Sequence, residues 1–272
     1  MLKSLLISFS LTMLTFLYSC DKEDESSEQP DQILNVVLEY YDSYYDEETD
    51  LMITGPFTMV SGFLSADPVP KMIDVKVNGQ LVFDEFFYSY GIVSFYDETS
   101  FFGRGKPIPF SGGLQVVTVK TSLGEITGKV IVPTQITSVS FSPSAAMTIN
   151  QPVTVSWQGS NADFYSVGIY YNGVVDTIVK GNTVTFPGKY FKYPGRIEEA
   201  SIYPVNGPFP GENTSGNLSG AGQGNLYYGG NPFEWEGQIV IGSGIESASS
   251  EKRNENKIRE FRQSLKNKLL GK

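Results

Sequence analysis

Residues 152–173 read Pro152-Val-Thr-Val-Ser-Trp157, Gln158, Gly159-Ser-Asn-Ala-Asp163, Phe164-Tyr-Ser-Val-Gly-Ile-Tyr-Tyr171, Asn172-Gly173. Apolar and polar side chains alternate through the first run, which is the two-residue period of a half-buried strand. The second run is rich in aromatic and branched residues and is bounded by turn formers. Asn-Gly readily adopts the positive φ angles of a type I′ turn, so the chain is expected to reverse there. Further strands are expected at Thr183–Phe186, Glu199–Tyr203 and Asn225–Tyr228.

The first half repeats this plan about 95 residues earlier. Phe57-Thr-Met-Val-Ser-Gly62 parallels Val153-Thr-Val-Ser-Trp157, and Ala66-Asp67 parallels Ala162-Asp163. Ile73-Asp-Val-Lys-Val-Asn-Gly79 parallels Val167-Gly-Ile-Tyr-Tyr-Asn-Gly173. A hairpin of Leu114–Thr121 and Ile126–Val132 around Leu123-Gly124 closes the half before Pro133. With Trp157 on its second strand and Tyr165 and Val167 on its third, the stretch 136–241 resembles a fibronectin type III or related immunoglobulin-like sandwich. The expected fold is therefore all-β, with two such sandwiches in tandem. The expected divisions are a signal peptide (1–19), an acidic tether (20–31), sandwich one (32–135), sandwich two (136–245) and a helix (246–272). Asn206–Gly230 is rich in Gly and Asn and reads as a mobile loop; no helix follows it to make a phosphate cradle.

Composition narrows the chemistry. The 272 residues contain no histidine and one cysteine, Cys20. No imidazole base, catalytic Ser–His or Cys–His arrangement, disulfide or thiolate metal site can be built from them. The expectation is a non-enzymatic protein without cofactor or metal, although carboxylate-only glycoside chemistry stays open. A net charge of −10 argues against nucleic acid as a partner.

The amino terminus reads as an address. Lys3 precedes the apolar run Leu5–Leu17, which is too short for a comfortable bilayer span. Leu17-Tyr18-Ser19-Cys20 resembles the lipobox of bacterial lipoproteins, with Tyr18 departing from the small residue usual at its position. The resemblance implies lipid on the Cys20 sulfur, including palmitate, and cleavage before it. Asp21, Lys22, Glu23, Asp24 and Glu25 resemble the export signal of surface lipoproteins of Bacteroidota. That implies an outer-membrane anchor facing outward, the alternative being the periplasmic face.

At the other terminus, residues 251–272 carry eight Lys/Arg against three Glu. Ile258, Phe261, Leu265 and Leu269 share one face of an expected amphipathic helix. That helix either packs the face on the protein's own body, or frays in solvent, or touches anionic lipid or an acidic partner.

Two clusters could carry binding. Glu39-Tyr-Tyr-Asp-Ser-Tyr-Tyr-Asp-Glu-Glu-Thr-Asp50 offers Asp42, Asp46, Glu47, Glu48 and Asp50 to calcium, but lacks EF-hand spacing and reads better as a solvated edge. The stretch 86–102 holds eight aromatics, of which about half should be core. Tyr88, Tyr90 and Tyr96, with Asp97 and Glu98, are the candidate ligand-binding residues, a stacking platform for sugar rings. Asp176-Thr177-Ile178 resembles a Bacteroidota O-glycosylation motif, with Thr177 as acceptor. The expected function is a lipid-anchored binding or interaction protein with a glycan or an envelope protein as partner. The alternatives are a docking subunit that uses the basic tail, or a carboxylate-based glycoside-active protein.

Overall fold

The structure, a computed structural model, describes residues 31–46, 51–95, 108–212, 216–242 and 255–271. The signal peptide, Cys20 and the residues 21–25 lie outside the described residues. In the first half the strands are β1 (Ile33–Asp46), β2 (Leu51–Ser65), β3 (Met72–Val77), β4 (Gln80–Phe83), β5 (Phe87–Ser89), β6 (Ile92–Phe95), β7 (Ile108–Pro109), β8 (Leu114–Thr121) and β9 (Gly124–Ile131). In the second half they are β10 (Ser138–Ser142), β11 (Ala146–Met147), β12 (Val153–Gln158), β13 (Phe164–Tyr170), β14 (Val174–Val179), β15 (Thr183–Phe186), β16 (Gly195–Asn206), β17 (Leu218–Gly220), β18 (Gln223–Gly229) and β19 (Phe233–Ile241). One helix, α1 (Glu255–Leu270), follows. The fold is all-β with a carboxy-terminal helix, as the alternation and the apolar stripe predict.

The 95-residue offset corresponds to a repeated pairing scheme. In the first half β1–β2–β6 pair in that order, as do β4–β3–β8–β9. In the second half β10–β12–β15 form one sheet and β14–β13–β16–β19 the other. Each half encloses its own apolar core, because alternate side chains of the two strand sets face inward. Val36, Leu64, Val75, Phe95 and Val119 fill the first. Val155, Trp157, Val167, Phe191 and Ile202 fill the second, where the Trp157 and Tyr165 rings meet at 5.0 Å. The reversals follow their residues: Asn78 and Gly79 have φ of 52° and 80°, and Asn172 and Gly173 have 46° and 125°.

The Gly-rich stretch Asn206–Gly230 is not the loop expected of it, and the strand expected at Asn225–Tyr228 lies within β18. Between β16 and β19 the chain leaves the second half, and β17 and β18 insert into the first. β17 pairs antiparallel with β9, and β18 runs parallel to β1 from Ile33↔Gln223 to Glu39↔Gly229. The hairpin therefore bridges the two strand sets of the first half, and Leu218, Leu226 and Tyr228 enter its core. Glycine is required where the hairpin lies against β1. At Gly224, with φ of 148°, a Cβ would sit 1.8 Å from the Leu34 carbonyl oxygen. Pairing thus crosses the expected boundary near residue 135, and Gln32–Lys272 form one compact unit.

The helix closes a third cluster at the joint between the halves. Leu265, Leu269 and Leu270 pack with Val37 of β1, Phe164 of β13, Tyr203 and Val205 of β16 and Tyr227 of β18. The Phe261 ring lies over Gly168, where a Cβ would come within 2.9 Å of it. Of the alternatives for the stripe, the structure shows packing on the protein's own body. The Ile258 side chain is outside the described residues.

Candidate functional site

β1 organises the candidate surfaces, because it runs without interruption between two dissimilar ends. At its start, Gln32 is buried and clamped. Its Nε2 donates to the Ala221 carbonyl at 2.6 Å, its Oε1 accepts from Thr121 Oγ1 at 3.1 Å, and its carbonyl accepts the Gln223 N–H at 2.9 Å. At its far end β1 pairs with β2 through Asp46↔Leu51. Fourteen residues at about 3.3 Å each separate these ends by on the order of 40 Å.

Beyond Glu39, where its pairing with β18 stops, β1 continues with β2 as an arm of residues 40–46 and 51–56. Asp42 falls at the register shift between Tyr41 and Ser43 and is exposed. The Tyr40 hydroxyl donates to Asp42 Oδ1 at 2.7 Å, and its ring meets Phe110 edge-on at 5.1 Å. That hydrogen bond, with some burial and the nearby negative charge, pushes the Tyr40 phenol up to about 12. Of the candidate calcium ligands, Asp42 is therefore engaged with tyrosine, the Asp46 backbone ends the strand, and Glu47, Glu48 and Asp50 lie outside the described residues. Among the described residues no three acidic side chains gather as a metal-holding group. Glu39 belongs to a different environment: it is buried, with Lys266 Nζ of α1 3.6 Å from its carboxylate.

The aromatic candidates separate. Tyr88 and Tyr90 stand on the β5–β6 hairpin. Register places that hairpin at the Gln32 end, since Ile33 pairs with Ser65, Ser65 with Ile92, and Ile92 with Ser89. The Tyr88 hydroxyl accepts the Met72 N–H at 2.7 Å, so this edge approaches β3. Tyr90 is fully exposed at the turn, with φ of 37° followed by Gly91 at 80°. Phe95 is core, with its ring 5.4 Å from Phe83. Tyr96, Asp97 and Glu98 follow it outside the described residues.

Thr177 lies half-buried on β14. Its neighbours Val175 and Val179, which share its face, pack on the second core. Asp176 on the opposite face forms an ion pair with Lys268, and Ile178 packs under the helix.

Sequence reasoning missed the polar residues that fasten the halves. Buried Asn206 accepts the Asp163 N–H on Oδ1 at 2.9 Å and donates from Nδ2 to the Ile131 carbonyl at 2.8 Å. Asp163 in turn accepts the Gly207 N–H at 2.8 Å. Thr134 in the connection between the halves donates to Asn161 Oδ1 at 2.9 Å. A single Asn at a strand end carries no pattern, and its partners lie 43 and 75 positions away. Only the start of a Gly-rich stretch marks Asn206 in the sequence. No protein-family model matches the chain, and no curated protein matches it.

Proposed function

We propose that this chain is a lipid-anchored, non-catalytic binding protein of the bacterial cell envelope, held at Cys20 and facing outward from the outer membrane. In this reading both halves are immunoglobulin-like sandwiches that act as spacer and platform, and the partner is a glycan or an envelope protein. One observation carries it. The chain joins the fold at Gln32, only twelve residues after Cys20, while the tyrosine-bearing acidic arm sits at the other end of β1. A chain anchored at Cys20 would thus enter the fold at the end of β1 opposite the arm. A docking subunit, the alternative reading, would have to use the basic side chains of α1, since Phe261, Leu265 and Leu269 are buried against the body.

The anchor is tested by Cys20→Ser, which should abolish incorporation of labelled palmitate and release the protein from membranes. Retained labelling would overturn the lipid assignment. Binding is tested by replacing residues 44–53 with a short turn and probing glycan arrays and cell-surface pull-downs. Loss of capture by the shortened arm is expected. Empty arrays and pull-downs with the intact chain would sink the binding reading.

A further inference from the structure

Large apolar side chains at least 40% exposed occur over the whole body, Met52, Leu81, Leu114, Ile131, Val174, Tyr190 and Tyr193 among them, but one group gathers at the Gln32 end. Ile33, Ile73, Phe87, Tyr88, Tyr90 and Ile92 are each at least 40% exposed, and all stand at the Gln32 end. Ile33 and Ile92 lie in one cross-strand row either side of Ser65, with Phe87 two rows on, opposite Ser94 and so on the same face of the sheet. Ile73 adjoins Met72, whose N–H is held by Tyr88. Tyr90 is the outlier: the other non-glycine residues with positive φ among the described residues are Asn78, Asn150 and Asn172. Asn tolerates that conformation and Tyr does not, so the turn carries strain that projects a large aromatic into solvent. Tyrosine and isoleucine at such a rim suit the boundary between headgroups and acyl chains, where a ring can bury its body and keep its hydroxyl wet.

We propose that this end of the sandwich rests on the membrane that carries the anchor, with Tyr90, Phe87 and Ile92 entering the lipid interface. The inference rests on the anchor reading above. Twelve residues, Cys20 to Asp31, extend at most about 40 Å, so an anchor at Cys20 leaves the Gln32 end within reach of the bilayer. A patch tethered so close meets lipid at high effective concentration, so a weak contact suffices. The exposed carboxylates Asp84 and Glu85, in the link before β5, stay on the water side, which makes the contact shallow.

The test supplies the anchor chemically, so that it does not depend on lipidation in the cell. The mature chain from Cys20 is coupled through that thiol to a maleimide phospholipid in phosphatidylcholine vesicles. Tyr90→Trp and, at the arm, Met52→Trp are compared with the parent, whose own Trp157 and Trp235 set the background. Bromine-labelled acyl chains should quench the emission added at position 90 about twofold and leave that at position 52 unchanged. Equal, unquenched emission at both sites overturns the proposal. So does a dimer that Ile92→Ser dissolves, because the patch would then face a second copy. Palmitate labelling of Cys20 in cells reads the anchor separately, so the two failures are distinguishable.

Discussion

At the scale of single residues, backbone contact and buried polar pairing decide tolerance. Gly224 lies against a main-chain carbonyl that no rotamer change can move. Gly224→Ala should cost about 3 kcal/mol, read as a lowered urea midpoint. Asn206→Ala removes the partner of two backbone groups at the joint and should cost about 2 kcal/mol by the same measurement. Tyr227 and Tyr228 give the alkaline behaviour. Burial pushes both phenols up to about 12 from the usual 10.0. Unfolded chains would release these protons near pH 10, folded ones only near 12, so stability is full below 10 and falls as pH rises towards 12. Urea midpoints measured from pH 9 to 12, with phenolate absorbance followed alongside, should show this slope. Tyr227→Phe should make the slope shallower without abolishing it, since Tyr228 and Tyr40 remain.

At the scale of elements, the strands that pack by alternation were readable and those that pack by closeness were not. The runs at 153–157, 164–171 and 183–186 each place a branched or aromatic residue inward at every second position, so the chemistry was local. The repeat at 95 residues was legible for the same reason and surfaces as one pairing scheme used twice. β17 escaped, and β18 was expected only as Asn225–Tyr228 and without its place beside β1, because their glycines, small enough to lie on β1 and β9, look like flexibility until their neighbours are known. The helix stripe was visible, but its target was not, since Val37, Phe164 and Tyr227 come from three distant strands. The candidate ligand residues fared differently: Tyr90 stands exposed as a platform requires, whereas the Tyr88 hydroxyl is already held by Met72. Two predictions belong to the helix. Phe261→Ala should destabilise by about 3 kcal/mol, because the ring fills the space over Gly168. In a Glu39→Gln and Lys266→Met cycle, each single change should lower the thermal midpoint, and the pair should cost less than their sum.

At the scale of the whole molecule, the halves are not separable beads. The first core takes Leu218, Leu226 and Tyr228 from the second half, and α1 seals the joint. Calorimetry should therefore show one cooperative transition, and residues 32–135 expressed alone should give no dispersed amide spectrum. Two resolved transitions, or a folded isolated half, would contradict this. The parallel pairing of Ile33 with Gln223 also sets a clock. A ribosome adding about 5–20 residues per second makes β18 roughly 10–40 s after β1. Throughout that interval one edge of β1, and the Leu34 and Leu38 side chains beneath it, wait for a partner not yet made. The newborn chain is thus most vulnerable to clumping before its last quarter exists, and its first half is completed only once residues 218–229 have been made.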